Sequence, residues 1–115
     1  MIKEIEKPNI EFKFNINYIF DFYKFYYDEI NNEYFFEFFK SKFYFNISGH
    51  YHRIGKPAIE YTDGAKIWIE NGNRHRLDGP AFFSGYNPSY WIKGNLFSEK
   101  KICRKNKPFN LSSLQ

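Results

Sequence analysis

Cysteine is nearly missing from this chain. Cys103 stands alone among 115 residues, so no disulfide framework can staple the fold. Long apolar runs are missing as well: Lys, Asn and Glu break up the hydrophobic residues everywhere, and no stretch reaches the ~20 residues of a transmembrane helix. The opening Met1-Ile2-Lys3-Glu4 lacks the apolar stretch of a secretory signal. With the lone cysteine it leads to the expectation of a reducing, intracellular compartment. Ala, Leu and Val are scarce, which removes much of the material of ordinary helices. There is no Gly-rich phosphate loop, Ser elbow, Cys with a neighbouring His, or isolated carboxylate pair. The expectation is a protein that is not an enzyme, with no catalytic residue and no cofactor.

Aromatic side chains are what the chain has in excess. Fifteen Phe and ten Tyr, concentrated before His50, together with two Trp bring the aromatic share to 23%. From Ile10 to Phe22 apolar residues fall on every second position, with Glu11, Lys13, Asn15, Asn17 and Asp21 between them. Strand side chains alternate between faces, so this period reads as a strand with one aromatic side. Between Tyr23 and Phe39 the run 28–33 reads as a turn between two further strands. Helices at 18–30 and 33–41, giving an α+β fold, are the alternative.

The second half repeats itself. Gly49-His50-Tyr51-His52-Arg53-Ile54-Gly55-Lys56-Pro57-Ala58 returns as Gly72-Asn73-Arg74-His75-Arg76-Leu77-Asp78-Gly79-Pro80-Ala81, at an offset of 23, and the register runs on to Trp68-Ile69 against Trp91-Ile92. A period of this length implies stacked supersecondary units. Asp63-Gly64 and Asn71-Gly72 supply the positive φ that two-residue hairpin turns require. Those turns would set Ile59 opposite Trp68, and Trp68 opposite His75, in one row on one face. Backwards, the register sets Phe36-Glu37-Phe38 against Ile59-Glu60-Tyr61 and Phe45 against Trp68, a degenerate earlier copy. The expected fold is all-β, an antiparallel meander of successive hairpins. It makes one domain over 1–98, with an aromatic part at 1–42 and two diverged repeats over 43–97, before a basic, polar tail at 99–115.

Asn71-Gly72 with His75-Arg76-Leu77-Asp78-Gly79-Pro80-Ala81, and Tyr61-Thr62-Asp63-Gly64 with Trp68, resemble the MORN-variant repeats. Versions with a His-Arg-x-Asp-Gly-Pro-Ala signature occur in proteins of large DNA viruses and phages. The resemblance covers about half the chain. The first copy departs from it, carrying Gly55-Lys56 where Asp-Gly is expected. It implies an elongated sheet of hairpins that serves as a scaffold for proteins or lies near membranes, and it implies no general activity. A viral or phage accessory protein acting in the host cytoplasm is the corresponding expectation.

The residues assigned to a binding face are His52, Arg53, Tyr61, Trp68, Arg74, His75, Arg76, Asp78 and Trp91. His50 and His52 share a strand face, and Asp78 or Cys103 could complete a zinc site. Because His52 and His75 hold one repeat position, a repeated structural job is favoured and no metal is assigned. Arg76 with Asp78, or Arg53 with Asp63, could serve hydrolysis, but Asp before Gly is above all a turn residue. The expected partner is a protein or a second copy of the chain. The alternative is nucleic acid: residues 1–42 hold six basic and eight acidic side chains, leaving eleven and five for the rest. Arg53, Arg74 and Arg76 with Lys93, Lys100, Lys101, Arg104, Lys105 and Lys107 would then meet phosphates beside stacking aromatics.

Overall fold

A computed structural model describes residues 1–14, 23–85 and 87–97. The described residues form no helix and eleven strands: β1 (Ile2–Ile5), β2 (Lys24–Asp28), β3 (Glu33–Phe38), β4 (Ser41–Phe45), β5 (Ile59–Glu60), β6 (Lys66–Ile67), β7 (Ile69–Glu70), β8 (Asn73–Arg74), β9 (Phe82–Phe83), β10 (Tyr90–Ile92) and β11 (Asn95–Phe97). All pairings are antiparallel. One seven-stranded sheet runs β1-β2-β3-β4-β5-β6-β9, and β7-β8 and β10-β11 are separate hairpins. The all-β expectation holds. The helical alternative is overturned across 23–41, where aromatics on alternate positions pair strand to strand, and residues 18–22 lie outside the described residues.

Aromatic burial holds β2, β3 and β4 together. Phe25 faces Phe36, which faces Phe43, while on the other face Tyr26 meets Phe35 and Phe35 meets Tyr44. Phe25, Phe36 and Phe45 form a cluster on which Ile10, Phe12 and Phe14 pack. The Phe12 ring lies 5.2 Å from Phe45 and the Phe14 ring stacks 3.9 Å from Tyr51. The strand expected from Ile10 is therefore corrected. Residues 10–14 are an irregular strap laid over the sheet, and 15–22 lie outside the described residues. Alternation in a strap and in a strand looks alike, because either way every second side chain must turn inward. The strap is fastened where Lys13 N–H donates to Gly49 O at 2.8 Å. A side chain on Gly49, whose φ is +87°, would run into the backbone of Glu11 and Phe12.

Two-residue turns with both central residues at positive φ close three hairpins: Phe39-Lys40 (49°, 69°), Asn71-Gly72 (50°, 83°) and Lys93-Gly94 (49°, 83°). At Asp63-Gly64 the expected turn is corrected. Tyr61 N–H donates to Ala65 O at 2.9 Å and Gly64 N–H to Tyr61 O at 3.0 Å, a three-residue loop. Ile59 accordingly faces Ile67 and not Trp68. One residue of slip moves Trp68 to the opposite side, so the row Ile59, Trp68 and His75 does not form. The other half of that expectation stands, since His75 N–H donates to Trp68 O at 3.0 Å.

The two copies are equivalent bends. From 52 to 60 and from 75 to 83 the backbone passes through the same succession of states. Tyr44 N–H donates to Ala58 O at 2.7 Å as Trp68 N–H does to Ala81 O at 2.6 Å. His52 N–H reaches Tyr44 O at 3.0 Å, matching the bond from His75 to Trp68. Gly72 N–H donates to Tyr51 O as Gly94 N–H does to Arg74 O, both at 2.9 Å. Gly55 alone breaks the likeness, with φ +75° where Asp78 keeps a negative φ. These bonds set Tyr44, not Phe45, in the place of Trp68. Arg53 N–H donates to Ile69 O and Arg76 N–H to Trp91 O, so Trp91 corresponds to Ile69 rather than to Trp68. The slip arises because Phe82 pairs with Ser89, one residue sooner than Ile59 pairs with Ile67.

Candidate functional site

Each repeat loop is pinned by its arginine. Arg53 lays its guanidinium 3.8 Å over the Tyr44 ring and donates Nη1 to Pro57 O at 3.3 Å. Arg76 does the same 3.9 Å over Trp68, with Nη1 donating to Pro80 O at 3.1 Å. A planar cation on an aromatic face that also ties a loop carbonyl is a use to which guanidinium is suited and lysine is not. The two differ in their acids. Arg53, 9% exposed, donates Nε to Glu33 Oε2 at 3.1 Å and Nη1 to Glu60 Oε1 at 3.2 Å. Arg76 donates Nε to Asp78 Oδ1 at 2.9 Å, on a carboxylate 74% exposed. Gly79 gives room to Arg76: a Cβ there would stand 2.8 Å from its Cζ.

Each histidine closes the next turn. Asn71 N–H donates to His52 Nδ1 at 2.9 Å, and Lys93 N–H to His75 Nδ1 at 3.0 Å. A ring nitrogen that accepts carries no proton, so both imidazoles hold theirs on Nε2. These are side chains of one repeat capping the hairpin that follows it, which is how a stack transmits order from unit to unit. His50 stands behind the same turn. Its N–H donates to Asn46 Oδ1 at 3.1 Å, and Asn46 Nδ2 donates to Asn71 Oδ1 at 3.0 Å.

The expected binding face is thus divided. Arg53, Arg76 and Asp78 are spent on internal bonds, and His52 and His75 each spend Nδ1 in the same way. Trp68 is half-buried under Arg76, and Arg74 lies 4.9 Å from the Trp91 ring and 5.3 Å from Phe82. Tyr61 is the exposed aromatic of the set, edge-on to Phe43 at 5.8 Å. Burial pushes the hydroxyl pKa of Tyr51 up strongly and that of Tyr44 up as well, with Arg53 opposing the rise at Tyr44. No group of three or more His, Cys, Asp or Glu able to hold a metal occurs among the described residues. Cys103 and the basic residues from Lys100 to Lys107 lie outside them. No helix among the described residues is long and apolar enough to cross a membrane.

Sequence reasoning missed a cleft of about 570 Å³ beside the first repeat. The turn after β2 supplies Asn31 and Asn32, β3 supplies Glu33 and Tyr34, the end of β4 supplies Phe45 to Ile47, and the repeat loop supplies His52, Arg53, Ile54 and Lys56. Ile47 and Ile54 are 76% and 71% exposed at its mouth. The signal was present in part: an isoleucine flanked by Arg53 and Gly55-Lys56, answered by Leu77 in the second copy, is an aliphatic residue at a polar loop tip. Asn31 and Asn32 carried no such signal, because only the β2–β3 register brings them to this end. No protein-family model, no curated protein and no solved structure matches the chain.

Proposed function

We propose that this chain is a non-catalytic β-repeat module that binds a protein. The observation that supports this most is the distribution of work among side chains. The polar residues of the repeat are consumed by its own loops, while aliphatic residues stand out in water at the tips: Ile30 is 81% exposed, beside Asn31, and Ile47 and Ile54 flank the cleft. Exposed aliphatic residues at the rim of a cleft mark a place of contact. The kinship with MORN-variant repeats, a viral or phage setting and an intracellular location are part of the same proposal. The matched loop bonds of the two copies support the first of these.

Affinity capture from the native source, followed by mass spectrometry, tests the reading when run beside a variant carrying Ile30→Asp, Ile47→Asp and Ile54→Asp. A protein retained by the native chain and lost by the variant is the expected result. Light scattering covers the case in which that protein is a second copy. A monomer that retains nothing specific overturns the proposal.

The nucleic-acid reading is weakened by Arg53 and Arg76, whose guanidinium groups are already stacked and paired. It then rests on Arg74, Lys93 and the basic residues beyond Phe97, the last of these outside the described residues.

A further inference from the structure

The cleft beside the first repeat has a chemical bias, and resting on the protein-binding reading we infer that it takes an acidic, aliphatic stretch of the partner chain. The bias comes from counting which of its polar groups are already engaged. Glu33 gives Oε2 to Arg53, and its Oε1 is shut away from solvent without a partner, so it offers nothing to a ligand. The charge of Arg53 is likewise spent, between Glu33 and Glu60.

What is left is mostly donors. Asn32 Oδ1 accepts from Tyr27 Oη at 2.6 Å, which leaves its Nδ2 to donate. His52 Nδ1 accepts from the turn at Asn71, which fixes the proton on Nε2 and leaves a donor there. Lys56 is exposed and forms no ion pair among the described residues. Asn31 spends Nδ2 on Asp28 and leaves its Oδ1, a neutral acceptor. An uncompensated ammonium with two neutral donors matches a carboxylate, and an amide oxygen beside them matches a peptide N–H. Ile47 and Ile54 offer an apolar surface at the mouth, and Tyr34 and Phe45 also line the cleft. Aliphatic and acidic side chains alternating on an extended segment present both demands at once.

The bias is particular to the first copy. At the corresponding place in the second, Gly79 replaces Lys56, and the nearby cavity of about 270 Å³ is lined by Glu70, Asn71, Asn73, His75 and Lys93. The departure of Lys56 from the repeat signature, a blemish if the loop is only structural, gains a purpose if the loop is also a docking rim.

The test uses the whole chain, ¹⁵N-labelled, titrated with the capped peptide Ac-Ile-Glu-Ile-Glu-Ile-NH₂ and with versions carrying Gln or Lys for Glu. The expected result is saturable shifts at the amides of Asn32, Ile47, Ile54 and Lys56 with the Glu peptide. Gln should weaken binding about tenfold, an amount typical of losing a charge-assisted hydrogen bond. Lys56→Glu, at an exposed position, should abolish binding of the Glu peptide and admit the Lys peptide. Equal binding of the Glu and Gln peptides overturns the inference, and so does an octathymidylate that shifts these amides while the Glu peptide does not. If a native partner is captured equally well by the Lys56→Glu and Ile54→Asp variants, the inference about the cleft fails and the protein-binding reading stands. If nothing is captured by any form, it is the broader reading that fails.

Discussion

Strands β1 to β4 and the repeats after them share one plan, antiparallel strands laid side by side, yet they are held by different forces. In the first region the strands are four to six residues long, the rings of β2, β3 and β4 pack on one another in stacked and tilted pairs, and Phe25, Phe35, Phe36, Tyr44 and Phe45 are buried almost completely. In the second the strands are two or three residues long, and each loop is fastened by an arginine to a proline carbonyl and by a histidine to the next turn. The lesson is that a hairpin stack tolerates very short strands when its side chains supply the bonds that a longer ladder would have made.

The comparison breaks most severely at the ring cluster. Phe36 touches Phe14, Tyr23, Phe25, Phe43 and Phe45, and Phe36→Ala should cost about 3–5 kcal/mol in urea unfolding, a large part of the stability of a domain this size. Arg53→Ala comes next. It removes the stack on Tyr44 and leaves Glu33 largely buried without its cation, at a cost of about 3 kcal/mol. Arg76→Ala should cost only about 1 kcal/mol in the same measurement, because Asp78 returns to water. Equal losses at the two arginines would mean that the stack they share carries the cost and that the buried acid of the first copy adds nothing.

Smaller effects sharpen the contrast at the turns. Phe39 and Lys40 sit at positive φ where neither is at ease, and Phe39→Asn with Lys40→Gly should stabilise the protein by about 1 kcal/mol, seen as a higher melting temperature. The smallest effect concerns pH. The side-chain amide of Asn31, then the backbone N–H groups of Asn31 and Ile30, favour the charged form of Asp28 and hold its pKa below the usual carboxylate value. A lowered pKa contributes stability that is present above the ordinary Asp range and lost as pH falls through the folded value. Carbon-detected titration should show Asp28 protonating late, with the β2–β3 turn loosening at the same point.

Much of this architecture was legible in the residues, and the illegible part had a common cause. Aromatic strand formers on either side of the turn at 28–33 announced β2 and β3, Asn71-Gly72 announced its turn, and the His-Arg to Pro-Ala segments announced equivalent loops. What failed was counting across loops. A three-residue loop at 62–64, and a pairing of Phe82 with Ser89 one residue sooner than that of Ile59 with Ile67, each shift the register by one, and one residue exchanges the faces of a strand. Ile2-Lys3-Glu4-Ile5 gave no sign of β1, because its charges suit an edge and conceal a strand. Of the site, His52, Arg53, His75 and Arg76 were visible as repeated letters, whereas Glu33, which joins Arg53 from 20 positions away, had no local signal.

Amide hydrogen exchange on His52→Phe and His75→Phe bears most directly on the claim that one repeat closes the turn of the next. His52→Phe should speed exchange at Asn71 about five- to tenfold and leave Lys93 as it was, and His75→Phe should do the reverse, as expected for one lost hydrogen bond of about 1 kcal/mol. Exchange at both turns unmoved by either substitution would contradict it.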